Sequence, residues 1–174
     1  IVRDLLPREI TKGGEVGECD GGHIPWTDEQ VALAERESPP HLSRMITLAA
    51  NTGQRGSDLI RMGPTNIELY KGLRGIVITQ KKTGKHVWIP ITSELDAAMA
   101  RWERRPGPFL TQQDGRPWTR EQLSHAWRYY RDGNPALAPL RLASLSLEVG
   151  ARPRTDQGLV IHGLRGTACV RLRR

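Results

Sequence analysis

The stretch NIELYKGLRGIVITQKKTGKHVWIPI, residues 66 to 91, decides the fold class, because here the apolar period of the chain changes. Three short runs, NIEL, GIVITQ and HVWIPI, are separated by a KG-containing turn and by KKTG. Val87, Ile89 and Ile91 alternate with their neighbours as residues of a half-buried strand do. The reading is a small antiparallel meander. On both sides the period returns to that of a helix, so the expected class is α+β, mainly helical, with a small three-stranded antiparallel sheet at one edge.

Upstream, Thr27 followed by Gln30 forms a capping-box pattern that opens a helix, and Pro39-Pro40 separates it from the next. In that second helix Leu42, Met45, Ile46 and Ala49 recur at i, i+3, i+4 and i+7, which predicts a buried stripe ending at Gly53, a residue suited to a C-terminal cap. A short helix is expected from Arg55 or Ser57 to Met62, stopped by Gly63-Pro64. Downstream, Leu95, Ala98, Met99 and Trp102 keep helical spacing behind a Thr92 or Ser93 cap, and Leu123, Ala126, Trp127 and Tyr130 repeat it. The Pro- and Gly-rich stretch from 133 to 158 reads as a long connection with one helical turn near Leu140 to Leu147. No internal repeat is evident.

A chain of 174 residues fits one domain, or one domain and a tail. Residues 12 to 22, KGGEVGECDGG, form a Gly-rich polar stretch unable to bury apolar surface, so residues 1–24 read as a tail or interdomain linker before a domain over 25–174. With 26 Lys and Arg against 19 Asp and Glu, the formal charge is +7 and a polyanion is the natural partner class. No apolar run approaches the roughly 18 residues needed to span a membrane. Cys19 and Cys169 have no paired spacing, which points to a reduced, cytoplasmic protein without a zinc site.

Three segments carry chemistry. In TGQRGSDL (52 to 59), Arg55 presents a fork of donors matched to two phosphate oxygens, with Asp58 three residues on to hold it; a surface Arg-Asp helix pair reads equally well. In QKKTGK, Lys82 stands at a hairpin tip, where an ammonium can reach a DNA groove and protonate a leaving alkoxide; such tips are also commonly just solvated. In IHGLRGTA (161 to 168), His162 and Arg165 share a helix face and pair a proton-transfer group with a second permanent cation; a capping His beside a surface Arg is the plain alternative.

Taken jointly, TGQRGSDL, KTGKHVWIPI and HGLRGTA resemble, in order and separation, the motifs of the tyrosine recombinase family, which includes phage integrases. The resemblance spans roughly residues 25 to 174 and implies an integrase-like catalytic domain. It assigns Arg55 and Arg165 to the scissile phosphate and its pentacovalent transition state, Lys82 to protonation of the leaving 5′ oxygen, and His162 to phosphate binding and proton transfer. Asp58 takes the acidic supporting position, and Lys81 and Lys85 become DNA-backbone contacts. No cofactor and no metal are implied, since the side chains supply the positive charge.

The implied activity is DNA integration and site-specific recombination by strand cleavage and rejoining through a phosphotyrosyl intermediate, on double-stranded DNA, in a bacterial, phage or mobile-element setting. The family's nucleophilic Tyr lies a few tens of residues beyond the second arginine, whereas nine residues follow Arg165 here and none is Tyr. Tyr70, Tyr129 and Tyr130 do not fit its place in the order. The expectation is a C-terminally truncated fragment, cleavage-incompetent and monomeric as it stands, from a protein that oligomerises on DNA. Two other readings stay open: a non-catalytic basic DNA-binding remnant or regulator, and an unrelated basic helical domain in which Arg55, Lys82, His162 and Arg165 lie far apart.

Overall fold

A computed structural model describes residues 23–103, 105–142 and 159–171. Helix α1 (Asp28–Glu37) begins at the expected capping box: Thr27 Oγ1 accepts from the Gln30 amide at 3.2 Å, and Gln30 Oε1 accepts from the Thr27 amide at 2.9 Å. Helix α2 (Pro40–Thr52) is the centre of the domain, and Leu42, Met45, Ile46 and Ala49 are all buried. Its last two turns also bury Thr47, Asn51 and Thr52. The core tolerates these polar groups because each has a nearby acceptor: Thr52 Oγ1 donates to the Leu48 carbonyl at 2.7 Å and Asn51 Nδ2 to the Thr47 carbonyl at 2.9 Å. The helix ends where Gly53 takes a left-handed conformation, φ 64°.

The short helix over 55 to 62 is shorter than the spacing suggests. Helix α3 covers Gly56–Leu59, with Arg55 as its extended N-cap, and the chain then tightens into 3₁₀-type bonds from the Arg61 amide to Asp58 and from the Met62 amide to Leu59. The tightening turns the chain where Gly63 packs against the backbone of Gly107.

Strands β1 (Ile67–Tyr70), β2 (Leu73–Thr79) and β3 (His86–Pro90) form one antiparallel sheet in that order. Ile76 pairs with Ile67 on one side and Ile89 on the other, so a row of isoleucines crosses the sheet on its core face, and Ile78 beside Val87 extends it. The β1–β2 link is the two-residue Lys71-Gly72, both at positive φ (49° and 79°), the conformation that matches strand twist. On the opposite face the Trp88 indole lies flat on Gly75, where an added Cβ would come within 2.1 Å of it.

Helix α4 (Ser93–Ala100) is capped by Thr92, whose Oγ1 accepts from the Leu95 amide. Trp102 lies beyond the helix, half-buried, with its amide bonded to the Met99 carbonyl. Helix α5 (Arg120–Gly133) begins at a second capping box, Thr119 with Gln122, and buries Leu123 and Trp127 as expected. It also buries Arg131, whose Nη1 donates to the Leu159 carbonyl while Nε pairs with Asp132. Helix α6 covers Ala138–Leu142, earlier than the turn expected from Leu140 to Leu147; residues 143–158 lie outside the described residues, as do 1–22 of the expected tail.

Helix α7 (Gly163–Arg171) packs across α2, burying Leu164, Thr167 and Ala168. The segment His23–Trp26 runs along α7. Thr167 Oγ1 accepts from the Trp26 amide and donates to the Trp26 carbonyl, both at 2.8 Å, and Trp26 Nε1 donates to the Val160 carbonyl. No helix among the described residues is long and apolar enough to cross a membrane.

Candidate functional site

The site is assembled where the C-terminus of α2, the start of α3, the start of α7 and the base of the β2–β3 hairpin meet. Gly53 lets α2 and α7 touch: a Cβ there would lie 3.2 Å from Ala168 Cβ. The Gly53 carbonyl accepts from Arg165 Nε at 2.8 Å. That bond fixes the guanidinium through its inner nitrogen, and among the described residues neither terminal nitrogen has an acceptor. Arg55, two residues on, is half-buried and makes no hydrogen bond or ion pair among the described residues.

The electrostatics show that these groups share one space. Arg165 is held below the usual arginine value, first by burial and then by the charge of Arg55. His162 is likewise held below its ordinary value, by burial first and then by Arg165, His23, Arg55 and Arg120. A lowered value keeps the imidazole neutral near pH 7, with one nitrogen able to donate and the other to accept. Arg55 and Arg165 both act on His162, although 55 and 162 lie about a hundred residues apart in the chain.

His162 stands one residue ahead of the helix that carries Arg165. His162 sits in the turn just before α7, and its carbonyl accepts from the Arg165 amide at 3.2 Å. The helix opens on Gly163, where the Ile24 carbonyl and Trp26 occupy the space a larger residue's Cβ would need.

Asp58 also differs from expectation. It is fully buried, yet it does not hold Arg55; its Oδ1 accepts from the Lys81 amide at 2.8 Å and lies 3.6 Å from Arg61 Nη1, while Oδ2 has no partner among the described residues. The physical reason is that Arg55 is an extended N-cap, so the three-residue spacing of a helix face does not apply between 55 and 58, whereas it does between 58 and 61. Asp58 therefore supports the hairpin. Gln80 Nε2, donating to Gln54 Oε1 at 2.8 Å, and Arg61 Nη1, donating to the Thr79 carbonyl, complete the anchorage.

Lys82 is exposed at the hairpin tip, one residue beyond the Asp58 anchor, with Lys81 and Lys85 exposed beside it. The tip is closed by the Gln80 amide donating to the Lys85 carbonyl and by Gly84 at φ 66°. Two further cationic or titratable groups join the site without a signal in the motifs: Arg120, at the start of α5 with its Cγ against Gly56, and His23, whose ring centroid lies 4.9 Å from that of His162. The Thr119 capping box announces the helix start but not what it faces.

Among the described residues no group of three or more His, Cys, Asp or Glu is placed to hold a metal ion. A cavity of about 530 Å³ under Arg44, Trp102 and Phe109 includes none of the site residues.

No family model matches the chain, and no curated protein matches it. Solved structures do. Lambda integrase (residues 75–356) bound to DNA superposes with a TM-score of 0.60 at 18% identity, covering 87% of this chain and 51% of that one. The lambda integrase catalytic core gives 0.55 at 19% identity, covering 84% and 80%. The Tn1549 transposon integrase in complex with circular intermediate DNA gives 0.53 at 17%, covering 86% and 52%. The chain spans about half the length of the longer lambda integrase chains it matches. Mainly helical with one small three-stranded antiparallel sheet, this chain has the fold of the lambda integrase catalytic core.

Proposed function

We propose that this domain binds double-stranded DNA and gathers one phosphodiester between Arg55 and Arg165 for strand cleavage and rejoining through a phosphotyrosyl intermediate, the chemistry of site-specific recombination. The observation that carries the reading is a pair of neighbouring guanidiniums that, among the described residues, have one bond between them, from Arg165 Nε to the Gly53 carbonyl. Such a pair offers terminal donors to both nonbridging oxygens and stabilises the charge that builds on them in the transition state. His162, kept neutral by burial and by its cationic neighbours, donates to the same phosphate or relays a proton. Lys82 protonates the 5′ oxygen as its bond to phosphorus breaks and the bond from a tyrosine oxygen to phosphorus forms. Rejoining reverses each transfer.

A polypeptide confined to these 174 residues has no tyrosine beyond Arg165 and is inferred to hold the phosphate without attacking it. The test has two arms. Fluorescence anisotropy with a duplex should give an affinity that falls linearly on a log-log plot against salt, and Arg55→Ala or Arg165→Ala should each reduce that slope by about 1. Unchanged binding in both variants refutes the site. In a chain that supplies a tyrosine beyond Arg165, a suicide duplex should trap a covalent adduct that Arg55→Ala abolishes; binding with no adduct leaves a DNA-occupying module.

A further inference from the structure

We propose that His23 is a positioning residue for His162: it packs against the His162 ring at a tilt and fixes that imidazole over the basic site. The inference rests on the reading of His162 as a phosphate-site residue. Among the described residues no hydrogen bond orients the His162 side chain, and the ring is exposed. Its contact with His23, centroids 4.9 Å apart and planes tilted by 60°, is what defines the direction of the imidazole.

His23 is itself held by a strap. The four residues HIPW each meet a successive part of the α7 start: His23 meets His162, the Ile24 carbonyl lies on Gly163, the Pro25 ring lies on Gly166, and Trp26 exchanges two hydrogen bonds with Thr167. A Cβ at Gly163 would come within 2.2 Å of the Ile24 oxygen, and one at Gly166 within 2.7 Å of Pro25 Cγ. The small residues inside HGLRGT thus form the bed for the strap. His162 and Arg165, on either side of Gly163, take their positions from the same packing.

The groups acting on His162 are Arg165 from α7, Arg55 at the start of α3, Arg120 at the start of α5 and His23 from the strap. Three are permanent cations. His23 is the one of the four whose ring also meets the imidazole.

The experiment uses the 174-residue protein with labelled histidines, followed by NMR across pH, and a duplex DNA as probe. In the wild type the His162 resonance should titrate below the ordinary histidine range. His23→Ala should move the His162 midpoint upward and weaken duplex binding several-fold at pH 7. His23→Phe should restore binding, because a ring still covers the imidazole. Identical His162 titration in wild type and His23→Ala overturns the proposal, and so does His23→Phe binding no better than His23→Ala. A wild-type His162 resonance that does not move when duplex is added refutes the site reading instead, independently of His23.

Discussion

Replacing Gly163 by alanine should destabilise the domain by about 2 kcal/mol, and the estimate can be built from its contacts. The added Cβ would stand 2.2 Å from the Ile24 carbonyl oxygen and 3.0 Å from Cδ1 and Nε1 of Trp26, whereas ordinary contact begins at 3.4 Å. The nearest obstacle is backbone, so the strap itself must withdraw. Overpacking of this kind costs about 1–3 kcal/mol. Withdrawal also stretches the 3.1 Å bond from Trp26 Nε1 to the Val160 carbonyl, worth about 1 kcal/mol. Alanine's helix propensity returns up to about 1 kcal/mol in a helix interior, but less at this first residue of α7. The net loss corresponds to a fall in Tm of roughly 4–8 °C for a chain of this size. Gly166→Ala is the internal control. Its nearest atom is a proline ring carbon at 2.7 Å, and it lies inside the helix, so the propensity gain offsets more of a softer clash. Urea denaturation followed by tryptophan fluorescence measures both. A Gly163→Ala protein within about 0.5 kcal/mol of wild type, or a Gly166→Ala protein that is the weaker of the two, would show that the strap is not seated as described.

Asp58→Ala should cost about 1–3 kcal/mol and speed hydrogen exchange at the Lys81 amide, while Asp58→Asn, which keeps an acceptor, should cost less; unchanged exchange at Lys81 in the alanine variant would refute the anchor. Because the folded state holds His162 below its ordinary value, the unfolded chain binds more protons between the folded value and about pH 6.5. Stability should therefore rise with pH across that window, and the part due to this residue should vanish in His162→Gln. A pH profile of the urea midpoint unaffected by that substitution would contradict the cation-flanked imidazole.

Local rules made much of the fold readable. Thr27 with Gln30 specifies a helix start by chemistry that two nearby residues complete, and Gly53 specifies an end by its freedom to take positive φ. The alternation through Val87 and Ile89 gives the strand and its inward face, since the side-chain period of a strand is two. What local rules could not supply were partners distant in sequence. Arg131 sits on the apolar side of α5, where a charged residue argues for an exposed position, yet it is buried because the Leu159 carbonyl and Asp132 satisfy it. His23 and Arg120 belong to no motif and reach the site only through the strap and the placement of α5. Asp58 was legible as a supporting residue, but its partner was not, because the hairpin backbone that fills its bonding capacity is folded back from 23 residues away.

The Asp58 anchor has an evolutionary consequence for the hairpin. What it grips at position 81 is the amide hydrogen of the main chain and no part of the lysine side chain. Every amino acid but proline brings that hydrogen, so drift at 81 is restrained by one forbidden residue and by whatever the solvent-facing side chain does for a ligand. The tip can change its charge, length and target preference while staying docked on α3, and a comparison of sequences that demands lysine there would discard chains with the same machinery.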